Sequence, residues 1–253
     1  MYNNTDSVEM NEVVIPEKMS VFKRIGNLFF NPKKLFAYTA GKPTILFPVI
    51  LVCIISLLAQ LLLMNQMKGY LMDQMHTTYK AMGLNYTVDQ LDYLANMSLI
   101  GTVASTPFIM VGTWVVTTLI LYLAYRLAGC EKGLKKYFSM TAYISVITVL
   151  GELLHSLYIY FTGTGVQAAK VTSLASLINA DSVGIFLYSI AANIEVFNIW
   201  SYFLYGIGFI YTGGAKKQKA YIITVLLFVI FTLISAGSVS LSGNLANMLY
   251  LNQ

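Results

Sequence analysis

The chain has 253 residues, 57% of them hydrophobic and only 11% charged, with a mean hydropathy of +0.67. Soluble domains carry roughly a quarter charged residues, so this composition excludes a soluble globular chain and points to a polytopic membrane protein. The net charge of +5 is no nucleic-acid signal, because the basic residues sit at the ends of apolar runs, where they report topology.

Residues 1–16 are polar, with Asp6, Glu9 and Glu12, and read as a mobile cytoplasmic tail. Residues 17–43 form an amphipathic region. Met19, Phe22, Ile25, Gly26 and Phe29 share one helical face with Lys23 and Arg24 off it, which suits a helix lying in the membrane interface. Asn31-Pro32 ends that helix, and Pro32 opens a second, shorter one over 33–38. The first apolar run begins only near Thr44, so no cleavable signal is expected. The two cysteines, Cys53 and Cys130, form no CxxC pair.

The membrane domain is expected over 44–236, with spans at 44–64, 106–125, 137–161, 195–212 and 221–236. Residues 65–98 are mixed in character and predict short helices covering the outer face. Pro107 is expected in the first turn of the second span. The third span is the most polar, with Ser139, Thr141, Ser145, Thr148, Gly151, Glu152, His155 and Ser156, so it should face the protein interior. Whether 183–192 extends the fourth span is open in the sequence. The fourth span has Trp200 and Tyr211 toward its two ends, Gly206 and Gly208 for close helix approach, and Gly213-Gly214 as a stop. The fifth carries no charge and reads as lipid-facing, and 237–253 reads as an extracytoplasmic tail. Thirteen of the sixteen Lys and Arg fall before the first span, between the second and third, or between the fourth and fifth. Five spans with the N-terminus cytoplasmic and the C-terminus outside satisfy that bias.

Two stretches give the chain a family likeness. One is Leu28-Phe29-Phe30-Asn31-Pro32-Lys33-Lys34-Leu35-Phe36, followed by Lys42-Pro43. The other runs from Asn198-Ile199-Trp200 through Gly206-Ile207-Gly208 to Lys219-Ala220. With five spans, these resemble the YIP family, the Ypt/Rab-interacting membrane proteins, and the short acidic tail and basic loop are more similar to its prokaryotic branch. The resemblance implies a multi-pass membrane protein without known catalysis. Eukaryotic relatives organise Golgi and ER membranes and bind small GTPases. Some bacterial relatives occur with ABC-type exporters, so an exporter or a second copy of the chain is an expected partner, in a bacterial cytoplasmic membrane.

Glu152 and His155, spaced i, i+3, share a face of the third span, and Glu195 is placed to meet them from the fourth. Glu-x-x-His with a second Glu is a fragment of a helix-bundle metal site. It also reads as a proton or ion relay, or as a buried polar contact that fixes packing. A full metal site needs further ligands, so no cofactor is expected. Lys33, Lys34, Lys216, Lys217 and Lys219 form a second candidate site, for anionic lipid head groups. There is no GxSxG elbow or phosphate-binding glycine loop. The first expectation is a non-enzymatic membrane-organising or accessory protein. A small transporter using Glu152, His155 and Glu195 is the alternative, and a metal-dependent membrane enzyme stands below it.

Overall fold

The computed structural model describes residues 18–130 and 133–251, with side chains as far as Ser242. The expected tail at 1–16 lies outside the described residues. The regular elements among them are helical, apart from one antiparallel bridge between Ser173 and Glu195.

Two short helices open the described chain. In α1 (Val21–Phe30) the Ser20 hydroxyl accepts from Lys23 N. Asn31 then caps both ways, closing α1 through its own N–H and starting α2 (Pro32–Gly41) with its side chain, and Pro32 takes the first helical position. Neither helix merely lies against the bundle surface. Leu28, Leu35, Phe36 and Thr39 are fully buried, and α2 packs along α6 and α8. Met19 of the expected face is buried and Ile25 and Phe29 pack against the core beside the fully buried Leu28, while Phe22 is 89% exposed. Arg24 Nη1 ties α1 to α6 (Leu134–Thr162) by donating to the buried Tyr143 hydroxyl at 3.0 Å.

α3 (Leu46–Leu62) is anchored at its start by Thr44, whose N–H donates to Ser139 Oγ and whose carbonyl accepts from it, both at 3.0 Å. The chain then bends by 63° into α4 (Met64–Ala81). Here the expected short helices of 65–98 give way to a long hairpin. α5 (Val88–Leu127) is one helix of 40 residues, begun by a Thr87/Gln90 capping box and registered against α4 by the Lys68–Asp92 pair at 2.6 Å. Pro107 therefore lies inside a helix and not in its first turn. Prolines are tolerated inside membrane helices when neighbouring helices and local adjustment support the freed backbone. Pro107 leaves Val103 O without its helical donor, and the Ser105 and Thr106 hydroxyls donate to the adjacent Thr102 O.

α6 (Leu134–Thr162) forms over the segment expected at 137–161 and buries Tyr137, Met140, Tyr143, Ile144 and Ile147 completely or nearly so. A 3-10 turn at Leu174–Leu177 leads to α7 (Ala180–Asn193), which is interrupted at Gly184, where φ is +75°. α7 is a separate helix packed on α9, divided from the next by Ile194-Glu195, so 183–192 does not extend the fourth span. α8 (Val196–Gly213) is the centre of the bundle, with α2, α6 and α9 around it and an unbroken buried run from Leu204 to Phe209. Glycine makes this possible: a Cβ on Gly208 would lie 2.5 Å from Met140 Sδ, and one on Gly206 would lie 2.6 Å from the Tyr221 ring. α9 (Lys217–Leu251) does not stop at Ala236, and most of the expected tail continues it as helix. Its outer face, with Ile222, Val225, Val229 and Ile230, is exposed and apolar.

α5, α6 and α9 as far as Ser242 are long and apolar enough to cross a membrane, and the bent α3–α4 pair makes a fourth candidate. α8 falls outside that group because its tyrosines, tryptophan and glycines lower its mean hydropathy.

Candidate functional site

Glu195 and Glu152 take different partners. Glu195 is 5% exposed and serves as the N-cap of α8. Its Oε1 accepts from Phe197 N at 3.0 Å and from Thr172 Oγ1 at 2.6 Å, and its Oε2 accepts from Asn198 N at 2.9 Å. A helix start offers unpaired N–H groups and the positive end of the dipole, so a carboxylate there is well placed for structural reasons. The adjoining bridge, with Leu174 N on Ile194 O and Val196 N on Thr172 O, holds this cap against the preceding loop.

Glu152 has a different partner, Lys170, which donates to its Oε1. Lys170 and Thr172 belong to the same loop, so one short segment supplies a partner to each acid. Glu152 is half-buried, with 47% of its side chain accessible and 30% of that of Lys170. His155 is half-buried beside them, with Nδ1 buried and without a hydrogen-bond partner. Among the described residues, no three His, Cys, Asp or Glu side chains come together as metal ligands.

Glu152 stands on the wall of a cavity of about 500 Å³ lined mainly by α3, α5 and α6. Glu152 is the only charged residue among those that line it. The α6 wall carries Thr141, Ser145, Thr148, Glu152 and Ser156, which fall on one face at steps of three and four residues. Most of these hydroxyls are already committed. Thr141 donates to Tyr137 O, Ser145 to Thr141 O, and Thr148 pairs with Ser201 across the α6–α8 contact. On the facing wall, Thr106 donates to Thr102 O and to Gln60 Oε1 at 2.7 Å. The cavity therefore presents methyl and methylene groups far more than free donors. The sequence signal for this wall was available in the polar stripe of the third span, but its partners on α3 and α5 were not.

Glu152→Gln keeps an oxygen for Lys170 to donate to and should cost about 1–2 kcal/mol of stability, the difference between a charge-assisted and a neutral hydrogen bond. Thermal unfolding in detergent checks this, and a loss of several times that size would mean the pair is far more deeply buried than the geometry shows.

At the opposite end the basic residues gather. Lys219 donates to the Ala128 carbonyl, tying the start of α9 to the α5–α6 turn, while Lys33, Lys34, Lys216 and Lys217 are exposed. Cys130 lies buried in that turn beside Gly213. Burial pushes its thiol above the ordinary range, and the nearby Lys219 offsets this only in part. Since the thiolate is the reactive form, Cys130 should label slowly with maleimide at neutral pH in the folded protein and quickly once denatured. Labelling at equal rates in both states would contradict this.

The sequence matches the Yip1 domain over residues 26–238, most of its length. The chain belongs to the Yip1 domain family. A Bacillus subtilis relative, "Membrane protein YknW", is 27% identical over 94% of this chain and 98% of its own length. No solved structure matches. This Yip1 domain protein is thus an integral, multi-pass membrane protein, as its apolar helices also indicate.

Proposed function

We propose that this Yip1 domain protein is a non-enzymatic, five-span protein of the bacterial cytoplasmic membrane that organises that membrane or serves as accessory to a transporter, with an ABC-type exporter or a second copy as partner. The observation that carries the reading is the use of Glu195 and Glu152. One caps a helix and the other pairs with Lys170, structural uses that favour an accessory role over a relay. The spans are α3, α5, α6, α8 and α9. At 18 residues, α8 is about 27 Å long, close to the ~30 Å hydrocarbon core, and it is shielded by its neighbours. The contact of Lys219 with Ala128, and the packing of α2 on α8, bring three basic segments to one end of the bundle. That end is cytoplasmic by the charge rule, which leaves the C-terminus outside and sets Lys33, Lys34, Lys216 and Lys217 against anionic head groups.

In-cell photocrosslinking tests the partner. Photoreactive residues placed at Ile230 on the outer face of α9 and at Lys33 on α2 should each trap a transporter subunit, and Glu152→Gln should leave the crosslinks unchanged. Crosslinks to lipid alone from both positions would overturn the accessory reading. Loss of ion flux in Glu152→Gln proteoliposomes, against flux in the unaltered protein, would replace it with the transporter.

A further inference from the structure

We propose that the cavity between α3, α5 and α6 is a binding site for one phospholipid whose head group carries both an amine and a phosphate. Its acyl chain lies along the α6 wall and its head group meets Glu152 and Lys170. Size is the first argument. Protein interiors hold few voids larger than a water molecule, and a cavity of about 500 Å³ among apolar side chains takes a ligand of matching character. Its α6 wall runs from Thr141 to Ser156, about 22 Å at 1.5 Å per residue. One leaflet of hydrocarbon is about 15 Å deep, so an acyl chain fits within that length.

Wall chemistry is the second. Thr141, Ser145 and Thr106 return their hydroxyl protons to backbone carbonyls of their own helices, and Thr148 is engaged by Ser201. What remains facing inward, with Val52, Leu63, Met64 and Met110, suits methylene groups.

The third is a charged pair: Glu152 lines the cavity and Lys170 is bound to it. Glu152 and Lys170 are both accessible, and each can accept a second partner while holding the first. An ammonium group donates to the Glu152 carboxylate, and a phosphate accepts from the Lys170 ammonium. A purely anionic head group would find Lys170 but also face Glu152. A purely cationic amphiphile would meet the reverse conflict. Only a head group with both signs satisfies both residues. The site is independent of the partner protein, so either idea can fail without the other.

Native mass spectrometry tests it directly. The full chain is released from nanodiscs made of equal parts phosphatidylethanolamine and phosphatidylglycerol. One phosphatidylethanolamine should be retained about fivefold over phosphatidylglycerol, the discrimination expected of one half-exposed ion pair. Ser56→Phe on α3 plugs the cavity and should abolish retention, and Thr113→Phe does the same from α5, so that failure of one variant to fold does not remove the test. Glu152→Lys replaces the pair by two cations and should reverse the preference toward phosphatidylglycerol. Equal retention of the two lipids by the unaltered protein would overturn the proposal, as would unchanged retention in a folded, plugged variant.

Discussion

Glu195→Ala is expected to destabilise the protein by about 3 kcal/mol, measured as a lower unfolding midpoint in mild detergent. Three donors lose their acceptor at once: Phe197 N, Asn198 N and the Thr172 hydroxyl. Loss of a helix cap alone costs about 1 kcal/mol, and each buried donor left unpaired adds about as much again. The cap also fastens the loop that carries Lys170, so Glu152 should become more reactive to carbodiimides in the same variant. Glu195→Asp should recover part of the loss, since aspartate is a good N-cap but too short to keep Thr172 as well. If Glu195→Ala left the unfolding midpoint unchanged, its assignment as a structural cap would be wrong.

Gly151→Ala is expected to cost about 1–3 kcal/mol, the usual range for forcing atoms into a packed contact. A Cβ there would sit 2.7 Å from Phe197 Cγ and 2.8 Å from Phe197 Cβ. Phe197 Cβ is bonded directly to the backbone of α8, so the ring cannot swing clear and the helices must part. Gly208→Ala should cost less, because the atoms it meets belong to the flexible thioether chain of Met140. Gly112→Ala meets nothing within 4 Å and should be neutral or mildly stabilising, since alanine is the better helix former. The ranking of the three by thermal unfolding is the check, and an equal cost for Gly151→Ala and Gly112→Ala would mean that α6 and α8 are not in close contact.

Much of the α8 story is local and therefore legible. Gly206, Gly208 and the Gly213-Gly214 stop announce a closely packed helix and its end within a few residues of each other. The errors arise where a local signal has two meanings. Proline marks helix starts, so Pro107 suggested a first turn. Only the packing of α3, α4 and α6 along α5 shows that the helix runs through it. Glycine, serine and asparagine after Ala236 look like a tail by composition, yet α9 continues through them. Glu152 and Glu195 look like a pair on length and polarity. Their partners, Lys170 and Thr172, lie 18 and 23 residues away in a loop with no periodicity, in pairings that sequence pattern does not encode. The cavity needs three helices at once, so no single segment reveals it.

The unbroken length of α5 has a further consequence. Forty residues at 1.5 Å each make a rod of about 60 Å, and even a tilt of about 40° leaves roughly 46 Å along the membrane normal. A hydrocarbon core of ~30 Å cannot cover it. The end braced by α4 therefore acts as a mast. It carries the Gly83 turn and its exposed neighbours Met82, Leu84 and Val88 clear of the lipid, at a standoff that the Lys68–Asp92 strut keeps fixed.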